Sequence, residues 1–122
     1  MLEQFMKRDF DLIRNILLYL EGNHDIDLSI YTKDQIDYHK ALIVEAGFAE
    51  GKAHYPSSHK TDIPSFVAIN RLTWDGHEFI DKSKNDNIWN KSKSMISEKG
   101  AEISFDILKY VLTELTKSIF KF

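Results

Sequence analysis

The apolar positions of the chain change period several times, and each change marks an element. Phe10, Ile13, Leu17 and Leu20 recur at spacings of three and four, and Leu12, Ile16 and Tyr19 widen that stripe. Such a stripe predicts a helix buried against several neighbours, opened by Asp9 and ended by Gly22-Asn23. Asp25 to Ile30 alternates polar and apolar residues, which predicts a short edge strand. Thr32-Lys33-Asp34-Gln35 fits a capping box, in which the threonine hydroxyl accepts from the amide three residues on and Gln35 reaches back. The helix it opens, Thr32 to Ala46, turns Ile36, Leu42 and Ile43 inward. It stops at Gly47, a residue suited to the left-handed position just past a helix.

Phe48 to Tyr55 and Ser65 to Leu72 read as two strands around a polar loop, Pro56 to Pro64. Thr73 then caps a helix holding Trp74, His77, Phe79 and Ile80 and running to Ser83. Asp86 or Asn87 caps another, which holds Ile88, Trp89, Met95 and Ile96 and closes at Gly100. Ser104 caps the last helix. Its Phe105, Leu108, Leu112, Leu115, Ile119 and Phe122 alternate spacings of three and four, a narrow seam of coiled-coil type. Helix, glycine stop, hairpin and helix in this order predict an α+β protein, mostly helical: a winged helix-turn-helix with a small β-hairpin wing and C-terminal helices. Residues 1–5 form an N-terminal extension, 6–85 the winged-helix-like core, and 86–122 a C-terminal helical extension with a dimerisation seam.

Composition narrows the class. In 122 residues, eight Phe, five Tyr and two Trp supply a core and exclude disorder. The absence of cysteine excludes disulfides and thiolate metal sites. No apolar run approaches the ~20 residues that span a bilayer, so no membrane partner is expected. Charges at Glu3, Lys7, Arg8, Asp9 and Asp11 interrupt any signal-peptide pattern. A soluble protein of the cytoplasm is the expectation. Charge complicates a nucleic-acid role. The net value is −3, and residues 1–50 hold five basic against ten acidic side chains, while residues 51–100 hold eight against six. Duplex binders are typically basic, because affinity comes largely from neutralised phosphates. A positive face here must be local and lie in the wing or beyond.

Several stretches together resemble a family catalogued as domain of unknown function 2513, found in bacteria and their phages. They are Met6-Lys-Arg-Asp-Phe-Asp-Leu-Ile-Arg14, Ile36-Asp-Tyr-His39, Glu45-Ala-Gly47, Leu72-Thr-Trp-Asp-Gly-His-Glu-Phe79 and Ile88-Trp-Asn90. The resemblance implies a winged-helix-like architecture, a phage or prophage origin and a usual start at Met6. It brings no activity with it. Tyr38-His39, Leu42 and Glu45-Ala-Gly47-Phe48 also look like the end of the recognition helix in small winged-helix repressors, which share a Leu-Thr-x-x-Gly turn, here Leu72 to Gly76.

Candidate chemistry is sparse. His77 to Asp81 invites comparison with the zinc-protease helix, but that motif needs histidine at both ends. The plainer reading is a His77 packed beside Trp74 and bonded to a backbone group. His39 reads as a half-buried histidine satisfied by a neighbour. Trp74 and Trp89 read as core or helix-junction residues, whereas an exposed tryptophan would mark an interface. There is no glycine-rich phosphate loop, nucleophile elbow or Cys–His pair. No enzyme, metal or cofactor is expected.

Two functions remain. In the first, a transcriptional regulator binds double-stranded DNA through the helix from Lys33 to Ala46. Lys33, Asp37, Tyr38, Lys40 and Ala41 face outward on it, and Lys52, His54, Ser57, Ser58, His59 and Lys60 follow in the wing. Phe105, Leu108, Leu112, Leu115 and Ile119 pair two subunits, or pack instead on the N-terminal helix of their own chain. In the second, the same fold docks on a host or phage protein without DNA, which suits the acidic first half.

Overall fold

A computed structural model of the chain describes residues 6–57, 61–100 and 102–119. The expected extension 1–5, the loop residues Ser58, His59 and Lys60, and Phe122 of the seam lie outside the described residues. Among those described, the architecture is mixed α+β, with five helices and one two-stranded antiparallel hairpin. The chain divides into two compact units, Met1–His77 and Glu78–Phe122. That division falls inside a helix.

The first unit opens with α1, Phe10–Glu21. Asp9 caps it, its carboxylate accepting from the Leu12 amide at 3.1 Å. Of the predicted stripe, Tyr19 and Leu20, in the last turn, are exposed, whereas Phe10, Leu12, Ile13, Ile16 and Leu17 are buried. Each such side chain contributes about 1.5–3 kcal/mol when fully removed from water. No strand forms at Asp25 to Ile30. The Asp27 carboxylate accepts from both the amide and the hydroxyl of Ser29, at 2.9 and 2.6 Å, and folds the segment into an Asx turn. The alternation there was that of a turn, with no neighbouring strand to pair it.

Helix α2, Lys33–Glu45, begins with the full capping box: the Gln35 amide donates to the Thr32 hydroxyl, and the Thr32 amide to the Gln35 side chain. It ends in a Schellman motif. Gly47, at φ +80°, donates to Val44 O and Phe48 donates to Ile43 O. The chain passes at once into β1, Ala49–His54, which pairs antiparallel with β2, Phe66–Leu72. A bulge between Glu50 and Gly51 interrupts the register; beyond it Lys52 lies opposite Ala68 and His54 opposite Phe66. α2 packs against α1 on one side and both strands on another.

Thr73 joins β2 to α3, Trp74–Ser83. Its hydroxyl accepts from the Gly76 amide at 3.1 Å and donates to Gly47 O, while its own amide donates to Phe48 O at 3.0 Å. In the second unit, α4 spans Asp86–Glu98 and α5 spans Phe105–Ile119. Asn85, not Asp86 or Asn87, caps α4, because its side chain reaches the amides of both Asn87 and Ile88. Trp89 is buried, with the Phe79 ring edge-on at 6.2 Å, and Phe79 meets Phe105 edge-on at 6.0 Å. Ser104 caps α5 as expected, and α5 lies against α4.

A Cβ on Gly76 would overlap the Phe48 carbonyl oxygen and lie 2.9 Å from its carbon. Alanine ordinarily favours a helix by about 1 kcal/mol over glycine. Here the overlap wins, and Gly76→Ala is expected to destabilise the protein by about 1–3 kcal/mol. The urea midpoint checks this; an unchanged or raised midpoint would show that the Phe48 backbone yields.

Candidate nucleic-acid interface

Helix α2 does not present the outward face expected of it. Asp37 and Ala41 are buried, at 7% and 3% exposure, together with His39 and Ile43. Tyr38 and Lys40 are half-buried. The cause is packing on two sides, by α1 and by the hairpin. Along α2 only Lys33, Asp34 and Glu45 are fully open to solvent. Lys33 is exposed but engaged. Its ammonium lies 2.5 Å from Asp37 Oδ2 and donates to Ser65 O at 2.7 Å, tying the start of α2 to the start of β2.

The hairpin is more open. Lys52 is exposed. His54 stacks on Phe66, with ring centroids 4.2 Å apart and planes 14° apart. Ser57 is exposed at the beginning of the loop. Arg71, which the sequence did not single out, donates to Glu50 from Nη2 and Nε, at 2.7 and 3.1 Å. The structure therefore groups Lys52 and His54 on one hairpin and ties Lys33 to its loop end.

Trp74 is 76% exposed, not part of a core. It is the first residue of α3, where no preceding turn exists for the indole to pack on. That position was readable from the Thr73 cap. His77 is also exposed, and its partner is the Glu21 carboxylate at 3.1 Å rather than a backbone group beside Trp74. Among the described residues, no three His, Asp or Glu side chains converge as metal ligands. On α5, Leu108 and Leu112 are fully buried, Phe105 and Leu115 are half-buried, and Ile119 is exposed. No helix among the described residues is long and apolar enough to cross a membrane.

His39 is 1% exposed, more buried than expected. The Asp9 amide donates to its Nε2 at 2.8 Å, and its Nδ1 lies 2.6 Å from Gln35 O. A carbonyl only accepts, so Nδ1 carries the proton and the ring is neutral. Burial holds its pKa below the usual value, against the opposing pull of the Gln35 carbonyl and the Asp9 charge.

The capped helix, its glycine stop, the hairpin and the Thr73–Gly76 turn all lie within one stretch that identifies the chain. Residues 7–102 match the family described as Hypothetical protein (DUF2513), and the chain belongs to that family. It is similar to an uncharacterized protein of Haemophilus influenzae (strain ATCC 51907 / DSM 11121 / KW20 / Rd). The two are 35% identical over 113 residues, covering 87% of this chain and 92% of the relative. No solved structure matches the chain.

The lowered pKa of His39 makes stability depend on pH. Below about pH 6.5 the unfolded chain takes up a proton that the folded chain refuses. Stability is therefore full above that pH and falls as pH drops toward the folded-state value. The urea midpoint is expected to fall between about pH 7.5 and about pH 5.5, and less steeply in His39→Gln. Equal slopes in both proteins would clear His39 of the effect.

Proposed function

We propose that the protein is a winged-helix regulator of transcription, of phage or prophage type, that binds double-stranded DNA in the cytoplasm. The observation that carries this reading is the run from a fully capped α2 through the Gly47 stop directly into a hairpin that holds Lys52 open to solvent. Phosphate contact belongs mainly to the hairpin. Recruiting Lys33 to a phosphate would take the cation away from the Asp37 carboxylate and release its bond to Ser65 O. Few phosphates are then neutralised, in keeping with a net charge of −3.

The reading includes a homodimer, which would set two hairpins about one DNA turn apart. Leu108 and Leu112 are already buried within the chain, so pairing falls to the open positions of α5, Ile107, Tyr110 and Ile119. One observation favours a second reading, docking on a host or phage protein: Trp74 stands exposed, and tryptophan is enriched where interfaces hold most of their binding energy.

Fluorescence anisotropy with a labelled mixed-sequence duplex at two salt concentrations tests the first reading. Binding in the micromolar range that collapses as salt rises is expected. Lys52→Ala should reduce the salt slope by roughly one. No binding at low salt would remove the DNA reading and leave Trp74 as the first handle on a protein partner. Sedimentation equilibrium is expected to show a dimer that Tyr110→Glu converts to monomer; a monomeric unaltered chain would end that part of the reading.

A further inference from the structure

Between α2 and the loop leading into β2 lies a cavity of about 310 Å³ lined by Tyr38, Ala41, Leu42, Glu45, Tyr55, Thr61 and Asp62. Its size is at the low end for small-molecule sites. Two carboxylates and two aromatic rings share the lining. Among the described residues, neither Glu45 nor Asp62 is paired with a lysine or arginine. The Met6 amide reaches Asp62 Oδ2 at 3.3 Å. The nearby Arg8 guanidinium sits 5.8 Å over the Phe10 ring and is not part of the lining.

We propose that this cavity binds a guanidinium-type cation. The planar guanidinium forks onto carboxylates with charge-assisted hydrogen bonds and stacks on aromatic faces. Tyrosine rings attract a cation through their negative faces. The same two carboxylates disfavour phosphates and nucleotides, against the opposing charge of Arg8 near Tyr38. The local field agrees. The Tyr38 hydroxyl is held above its ordinary pKa by burial and by Asp62, with Arg8 opposing and Glu45 adding. Tyr55 is raised by burial, then by Glu45 and Asp62. For both phenols burial is the largest cause, and the two carboxylates add to it. The guanidinium belongs either to a free small molecule or to an arginine side chain of a partner, and the chemistry of capture is the same.

The test is an NMR titration of backbone amides in the intact chain with methylguanidinium, and separately with a short peptide carrying one internal arginine. Sodium chloride at matched ionic strength is the control. Saturable shifts centred on Tyr38, Glu45, Tyr55, Thr61 and Asp62 are expected. Glu45→Gln, a change at an exposed position, should weaken binding roughly tenfold, which corresponds to about 1.4 kcal/mol. Tighter binding of the peptide assigns the site to a protein partner, and tighter binding of methylguanidinium assigns it to a small molecule. Absence of saturable shifts, equal shifts with sodium chloride, or unweakened binding to Glu45→Gln would overturn the proposal. No DNA is present, so failure of the duplex experiment leaves this result standing.

Discussion

Thr73 uses its hydroxyl twice, accepting from the Gly76 amide and donating to the Gly47 carbonyl, while its amide bonds Phe48 O. Those partners lie at the ends of three different elements. Gly47 and Phe48 close α2 through its Schellman motif, Phe48 leads into β1, and Gly76 lies in the first turn of α3. One residue therefore holds the end of a helix, the base of the hairpin and the start of the next helix together. A two-stranded hairpin is marginal alone and needs such support. Gly76 completes the junction by letting the first turn of α3 come against the Phe48 backbone.

This arrangement gives the Leu72-Thr73-Trp74-Asp75-Gly76 stretch a physical reading. Threonine is there because both functions of a hydroxyl are needed, and glycine because no side chain fits. Trp74 needs another reason, since its ring is open to water. At Lys33 a different logic applies. Its ammonium joins Asp37 and the Ser65 carbonyl, so a cation that looks available in sequence is structural as well. With Glu45 and Asp62 lining the neighbouring cavity, the region between α2 and the loop carries more negative potential than a phosphate-binding face requires.

Local signals were legible wherever the chemistry is local. The Thr32–Gln35 box, the Gly47 stop, the paired strands and the Ser104 cap all depend on residues within a few positions of one another. The errors came where the outcome depends on distant partners. Asp25 to Ile30 has the period of a strand but no neighbour to pair with. Asp37 and Ala41 lie on a helix whose charges suggest an open face, yet packing from both sides closes it. The Leu108 and Leu112 seam says that something covers it without saying what. Asn85 was missed because Asn85, Asp86 and Asn87 are three adjacent capping residues, and only geometry chooses among them. Tyr38, Glu45, Tyr55 and Asp62 stand at separations that no short motif spans.

Gly51 shares a property with Gly76: a Cβ there would overlap the Ala68 carbonyl oxygen and lie 3.0 Å from the Ile69 Cα. In both places the obstacle is main chain. A clash with a neighbouring side chain can be relieved by trimming that neighbour, so a second change elsewhere restores the first. Main-chain atoms are the same whatever residue is encoded, and no such partner change exists. A genetic screen for suppressors of lesions at these two glycines should therefore return reversion to glycine, or changes that stabilise the protein at a distance, rather than substitutions of the residues they touch.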